Sequence, residues 1–332
     1  MGGTTEQLAG VRVLDLGIWR PAPYATQLLA ELGAQVTKVE PPGGDPMRAF
    51  SSLYVTLNGR KQVVELDLKS DAGRAALQPL LAAADVVVEG FRPGVAARLG
   101  AGPADVAAAN PRAIHCSISG FGQDGPLAAV PGHDLNYQAW SGVLAARSPE
   151  TNVPGIPVAD LAGGSFAALA ICAALARRGL VGVDRYRGER IDVSMADVLV
   201  SWAGPEVGGA LAPRDEPGAN FPAYGTFACA DGSITLGIVT EDPFWRSLCR
   251  ALDLRDVIDL DVTARAAGGP ALRATVGAAL ATRSRGEVVA ALLADGVPVA
   301  PLLTRAEAVA HPHFLARGTV VDGQLTHPVH FG

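Results

Sequence analysis

Lysine is almost missing from this chain of 332 residues: Lys38, Lys61 and Lys69 are the only three, all in the first quarter, and every later basic residue is arginine. With 27 Lys plus Arg against 33 Asp plus Glu, the net charge is -6 and no basic tail exists, which excludes nucleic acid as the expected partner. Aromatic residues make up 5% of the chain and charged residues 18%, while 49% are hydrophobic, enough to bury a large core. The four cysteines, Cys116, Cys172, Cys229 and Cys249, are far apart in apolar surroundings and read as core thiols, not as a disulfide or zinc framework. The opening MGGTTEQLAG lacks the basic and apolar regions of a signal peptide, so the expected location is cytoplasmic. The longest apolar run, Leu161 to Ala176, contains Gly163, Gly164 and Ser165 and falls short of the ~18–20 residues of a membrane span, so a buried helix is expected and no membrane.

The segments Val11–Leu16, Gln35–Val39, Val63–Leu66, Asp85–Glu89 and Ala113–Ser119 are short and rich in Val, Ile and Leu. Helical stretches such as Tyr24–Leu32 and Asp71–Ala84 separate them. This alternation predicts an α/β fold with a Rossmann-like parallel sheet, whose ligands gather at the carboxyl ends of the strands. The turn after the first segment, Leu16-Gly17-Ile18-Trp19-Arg20-Pro21, lacks the Gly-x-Gly-x-x-Gly pattern, which disfavours a nicotinamide oxidoreductase. A long helix is expected from about Leu161 to Arg178, ending before Gly179, and Ile191–Trp202 reads as a strand leading into a helix.

From Gly204 to Pro222 there are four Gly and four Pro, the composition of a linker. After it, Tyr224–Ala228 and Ser233–Val239 flank Asp231-Gly232 as a hairpin, with helices at about Pro243–Leu252, Leu272–Arg283 and Arg285–Ala294. The expected organisation is a large domain over 1–203, a linker over 204–220, a smaller α+β domain over 221–305 and a short return segment over 306–332. His311, His313, His327 and His330 crowd the tail without nearby cysteine, and no metal site is expected.

Several residue groups carry candidate chemistry. The stretch Pro46 to Val64 holds Arg48, Arg60 and Lys61 and no acid, with Lys38 just before it, so it reads either as a phosphate-binding surface or as a solvated face. Arg92 follows the end of a strand, where an open α/β sheet places its ligand. His133, within Gly132-His133-Asp134-Leu135-Asn136-Tyr137, suits proton transfer near neutral pH, and the alternative is a capping Asp134 beside an incidental histidine. Asp160 stands at the start of the long helix, where dipole and free N–H groups would keep it ionised as a base or nucleophile. Gly163 and Gly164 behind it would let a ligand approach the backbone. An ordinary N-cap is the alternative for Asp160.

The motifs Leu8–Asp15, Leu32–Glu40, Asn58–Lys61, Leu66–Lys69, Gly90–Gly94, Ser119–Gly122, Gly132–Asp134, Pro157–Asp160, Asp192–Met195 and His311–Phe314 follow one another as in the class III CoA-transferases (the CaiB/BaiF family), which the chain resembles over nearly its whole length. Within that family, Gly-His-Asp followed by Asn-Tyr is similar to the α-methylacyl-CoA racemase branch, and Glu216–Pro222 holds one glycine where transferases carry a glycine-rich loop. The resemblance implies racemisation or epimerisation at the α-carbon of a 2-methylacyl-CoA or similar thioester, with Asp160 and His133 as the two bases. Backbone N–H groups at Asp160 would stabilise the enolate, and Glu241 would partner His133. The alternative is a CoA transferase using Asp160 as nucleophile through an aspartyl-CoA thioester. The resemblance also implies a coenzyme A thioester as substrate and no prosthetic group. Lys38, Arg60, Lys61 and Arg92 would lie near the CoA phosphates, Asp134 would orient CoA or the loop, and the assembly would be an interlocked homodimer.

Overall fold

The computed structural model describes residues 6–144, 155–204, 221–321 and 324–329. Contacts divide the chain into two compact units, residues 1–212 with 318–332, and residues 213–317. Most of the expected linker 204–220 and of Glu216–Pro222, together with His330, lies outside the described residues.

In the first unit six strands form one parallel sheet: β1 (Arg12–Asp15), β2 (Gln35–Glu40), β3 (Gln62–Glu65), β4 (Val86–Glu89), β5 (Ile114–Ser119) and β6 (Glu189–Ser194), in the spatial order β3-β2-β1-β4-β5-β6. Every residue of β4 and β5 is buried, as strands covered on both faces must be, and β4 reads as the apolar run Val86–Val88 while β5 buries His115, Ser117 and Ser119 among Ile114, Cys116 and Ile118. One face is covered by α1 (Pro21–Glu31), α7 (Val158–Val181) and α8 (Met195–Trp202), with Ala25, Leu29, Ala162, Ile171 and Leu199 in the shared core. Helices α2 (Ser51–Asn58) and α4 (Val95–Arg98) lie in the connections after β2 and β4, and the other face packs α3 (Asp71–Ala83) and α5 (Pro103–Ala109) through Leu77, Leu81 and Val106. The strand order reverses direction between β1 and β4. A cleft must open there, because the chain leaves β1 toward one face and β4 toward the other.

Helix α7 starts three residues earlier and ends three later than the apolar pattern suggests, running through Gly179 to a cap at Gly182 with φ 85°. At 24 residues it is long and apolar enough to cross a membrane by length and composition, yet it packs one face against α1, α8, β5 and β6. The glycine pair sets that packing. A β-carbon on Gly163 would stand 2.6 Å from Met195 Cγ, and one on Gly164 would stand 2.8 Å from both the Pro21 carbonyl oxygen and Tyr24 Cδ1. Contact with α8 and α1, not ligand access, is therefore what these glycines provide.

The second unit has a three-stranded antiparallel sheet, β7 (Tyr224–Cys229), β8 (Gly232–Gly237) and β9 (Val299–Pro301), in the order β7-β8-β9. Helices Asp242–Leu252, Gly269–Ala281 and Arg285–Ala294 bury Trp245, Leu248, Val276, Leu280 and Leu292 with Ile234 and Leu236 of the sheet. The four cysteines are free thiols, with Cys116 and Cys249 buried.

The two glycines predict different costs. Gly164→Ala drives a methyl group into the α1 backbone and is expected to lower stability by about 1–3 kcal/mol in urea unfolding, the usual range for overpacking. Gly163→Ala meets side-chain atoms of Met195 and no backbone, and gains helix propensity, so it should cost less than Gly164→Ala in the same assay. Equal costs would contradict the packing account.

Candidate active site

Three loops leave the carboxyl ends of β1, β4 and β5 at the point of reversal and surround a cavity of about 610 Å³. Its lining includes Ile18, Trp19 and Pro21 from the first loop, Gly90–Pro93 from the second, and Ser119–Phe121 with Val130–His133 from the third. Asn136 and Tyr137 of α6 (Asp134–Trp140), Asp160 of α7 and Met195 complete it. Of the residues selected from sequence, this cavity brings together His133, Asp160 and Arg92.

Asp134 explains how the two helix starts meet. Its Oδ1 accepts hydrogen bonds from the N–H groups of Ala159 at 2.7 Å and Asp160 at 3.1 Å, and its Oδ2 accepts one from Gln138 Nε2 at 2.5 Å. An acid 25 residues away in sequence therefore caps α7, whose own N-cap residue, Pro157, has no side-chain donor or acceptor. The expectation that these N–H groups face an enolate is corrected: they are already bonded, and the Leu161 N–H bonds to the Pro157 carbonyl. The role of Asp134 is structural at this point.

The Asp160 carboxyl is also not kept ionised by its helix. Burial, followed by the neighbouring Asp134 charge, pushes it up to about 7 against the opposing effect of Arg20. Both forms are then populated near neutral pH, the condition under which a carboxyl exchanges protons most readily. His133 is exposed at the N-cap position of α6, its backbone N–H donating to Asn136 Oδ1 at 2.9 Å. Among the described residues its ring has no hydrogen-bond partner. Below it, the Tyr137 ring wedges against Gly120 and Gly132, whose β-carbons would fall 2.2 and 2.7 Å from Cε1, and its hydroxyl donates to the Gly132 carbonyl. That contact fixes the third loop.

The four proposed phosphate contacts separate. Arg92 is exposed on the cavity wall, and its guanidinium makes no hydrogen bond or ion pair among the described residues. Lys38 is corrected: its side chain is 0% exposed and its Nζ donates to the Gly17 carbonyl at 2.5 Å and pairs with Asp45 at 3.0 Å. Lys61 is corrected likewise. Its Nζ lies 2.9 Å from Asp15 Oδ2 and donates to the Pro23 carbonyl at 2.8 Å and Asn58 Oδ1 at 2.9 Å. Burial pulls Lys61 down to about 8, with Asp15 opposing, so it stays cationic at neutral pH. Burial alone would raise Asp15, but the Lys61 and Lys38 charges and the Lys61 and Thr26 hydrogen bonds hold it below the ordinary carboxylate range. Arg60 lines a different hollow with Arg12, Gln35 and Gln62, at the amino ends of the strands and hence the far edge of the sheet.

Glu241 belongs to the second unit, where it is exposed and its Oε2 accepts from the Val239 N–H at 2.9 Å. Hydrogen bonds from its own N–H and that of Val239 hold its carboxyl below the usual range. Buried Arg265 anchors the neighbouring turn through Asp242 Oδ1 at 2.6 Å and the Thr240 carbonyl at 3.0 Å. Among the described residues no three His, Cys, Asp or Glu side chains converge to hold a metal ion. Sequence reasoning missed Ser119, whose buried hydroxyl has no partner among the described residues, and Trp19. The place of Ser119 at the carboxyl end of β5, and of Trp19 in the turn that follows β1, was the available signal.

Comparison with known proteins places this architecture. Residues 8–331 match the sequence profile of CoA-transferase family III. The chain belongs to that family. It is 35% identical to an acetyl-CoA:oxalate CoA-transferase of Acetobacter aceti, over 94% of this chain and 85% of that one. It is 32% identical to the human α-methylacyl-CoA racemase, over 96% and 83% respectively. The crystal structure of a CaiB/BaiF family protein from Brucella suis superposes with a TM-score of 0.87 at 27% identity, covering 98% of this chain and 93% of that one. A Mycobacterium tuberculosis structure gives 0.85 at 28%, covering 99% and 94%. Members of this family act on CoA thioesters, and both transferases and racemases are among the relatives of this chain.

The charge on Asp134 generates a pH prediction. Asp134→Asn keeps an oxygen acceptor for the α7 cap but removes the charge that opposes ionisation of Asp160, so the acid limb of the pH–rate profile should move to lower pH. Stability gives an independent check. A carboxyl whose folded pKa is raised to about 7 from 3.8 binds more protons folded than unfolded between those values, so it lowers stability as pH rises through that window. Asp160→Asn should therefore raise the urea midpoint relative to the parent at pH 8, with the difference shrinking toward pH 4.

Proposed function

We propose that this member of the family is an acyl-CoA racemase or epimerase working by two-base proton transfer at the α-carbon of a 2-methylacyl-CoA or similar thioester. The observation that carries the reading is that the His133 imidazole and the Asp160 carboxyl, the latter pushed up to about 7, line one cavity at the strand ends. The ionised Asp160 carboxylate removes the α-proton from one face, leaving an enolate conjugated with the thioester. The His133 imidazolium returns a proton to the opposite face, and the reverse reaction exchanges the roles. A thioester α-proton is roughly 10 pK units or more less acidic than a carboxylic acid, so enolate stabilisation has to supply most of the difference. With the Ala159 and Asp160 N–H groups of α7 bonded to Asp134, the cavity donors without a partner among the described residues include the Ser119 hydroxyl, the Arg92 guanidinium and the His133 ring.

In this reading Arg92 takes a CoA phosphate, since it is an exposed fork on the cavity wall with no internal ion pair. The unpartnered His133 ring calls for an orienting acid, and Glu241 of a second copy fills that role in a cytoplasmic homodimer that needs no prosthetic group. A second reading, CoA transfer through an Asp160-linked thioester, is favoured by the 35% identity to an acetyl-CoA:oxalate CoA-transferase.

Incubation with a panel of acyl-CoAs in deuterated water separates the two readings by mass. Deuterium at the α-carbon of an otherwise unchanged acyl-CoA is the expected result, and His133→Ala should reduce racemisation by at least 100-fold while CoA binding stays near the parent value. A new acyl-CoA formed from an added carboxylic acid, retained in His133→Ala and lost in Asp160→Ala, would instead establish transfer. Arg92→Ala should weaken CoA binding about tenfold at low salt and flatten its salt dependence, read by calorimetry at several ionic strengths. Unchanged affinity would remove Arg92 from the phosphate site.

A further inference from the structure

Among the described residues two non-glycine positions have a left-handed backbone, Trp19 with φ 62° and Asp253 with φ 59°. Asp253 ends a helix, where a short polar residue tolerates this conformation. Trp19 has no such excuse: a bulky aromatic residue in the left-handed region is strained, and strain of this kind persists where surrounding contacts impose it.

Here the surrounding contacts are visible on both sides. Before Trp19, both peptide groups of Gly17 are gripped by charged side chains, the N–H by Asp15 Oδ1 at 2.8 Å and the carbonyl by Lys38 Nζ at 2.5 Å. A β-carbon on Gly17 would stand 2.4 Å from Ala22 Cβ, so the chain cannot shift toward α1. After Trp19, the Arg20 carbonyl accepts the Tyr24 N–H at 2.8 Å and Pro21 opens the helix. Only Ile18 and Trp19 lie between these anchors. The Trp19 side chain is held 43% exposed on the cavity wall, its ring 6.5 Å from that of Phe50. Ile18, Phe91, Ile118, Phe121 and Val130 supply apolar lining in the same cavity.

We propose that Trp19 is the specificity-determining wall of this cavity, selecting apolar branched or aromatic acyl groups over short polar ones, with Lys38 as its positioning residue acting through the Gly17 carbonyl. The proposal rests on the reading of the cavity as an acyl-CoA site. An aromatic ring held 43% exposed on the cavity wall gains contact when an apolar ligand covers it, whereas a small or charged acyl group leaves it wet.

Trp19→Gly tests this with a variant whose backbone suits the site better than the parent's. It should raise the melting temperature, because glycine adopts φ 62° without strain, while lowering kcat/KM for α-deuterium exchange into isobutyryl-CoA or phenylpropionyl-CoA at least tenfold and that for exchange into acetyl-CoA less than threefold. The charge-free pair Lys38→Met with Asp45→Asn should reproduce the loss of selectivity and move the Trp19 fluorine resonance of 5-fluorotryptophan-labelled protein, leaving that of Trp245 in place. Equal losses for all acyl groups, or an unchanged selectivity ratio in Trp19→Gly, would overturn the proposal. If the parent turns over no acyl-CoA, the functional reading fails separately. The proposal is then decided by whether isobutyryl-CoA shifts the Trp19 resonance more than acetyl-CoA does.

Discussion

Two ammonium groups and two carboxylates buried beneath the first loop, Lys38, Lys61, Asp15 and Asp45, hold the cavity in shape. Charges so deep are stable only when paired, and here the bonds of Asp15, Lys38 and Lys61 run to the loop and the start of α1, while Asp45 pairs with Lys38. Asp15 takes the Gly17 N–H and the Thr26 hydroxyl, Lys38 takes the Gly17 carbonyl, and Lys61 takes the Pro23 carbonyl. The end of β1, the turn and the first residues of α1 are thereby joined to β2 and to the start of β3. Removing one partner would leave an uncompensated charge, so the cluster resists piecemeal change. Two of the three lysines, Lys38 and Lys61, are thus placed by this buried cluster and not by a phosphate surface, while Lys69 is exposed outside it.

A second constraint works at the opposite wall. Asp134 spans from the start of α6 to the start of α7 and fixes His133 and Asp160 on neighbouring helix ends. The same charge that caps α7 makes Asp160 harder to ionise, so the structural bond and the chemical tuning come from one side chain. Gly164 lets α7 approach α1 closely, which brings Asp160 to the loop held by the ion cluster. Each catalytic candidate is thus set by a contact far away in sequence.

That pattern explains what the sequence disclosed. Strands β1, β2, β4 and β5 lie within a residue or so of the segments rich in Val, Ile and Leu, because strands buried on both faces favour such residues, although Lys38, Glu89 and His115 are buried among them. The cavity's position followed from the alternation, and His133, Asp160 and Arg92 were visible as polar residues at strand or helix ends. The fate of Lys38 and Lys61 was not visible, since their partners Asp45 and Asp15 are set by sheet order and loop path, not by local pattern. Nor was the cap on α7, which comes from 25 residues upstream, or the packing role of Gly163 and Gly164, which needs the positions of Met195 and Pro21. Helix Ser51–Asn58 also escaped, because its exposed face carries Val55 and lacks a clear apolar stripe.

The central claim is that the cavity holds a carboxyl poised near neutrality beside a histidine. Carbon NMR of protein labelled at the aspartate Cγ, with Asp160 assigned by its loss in Asp160→Asn, reads that carboxyl directly. The account predicts a titration midpoint close to 7 for Asp160. A midpoint near 4, the ordinary value of an aspartate, would contradict it.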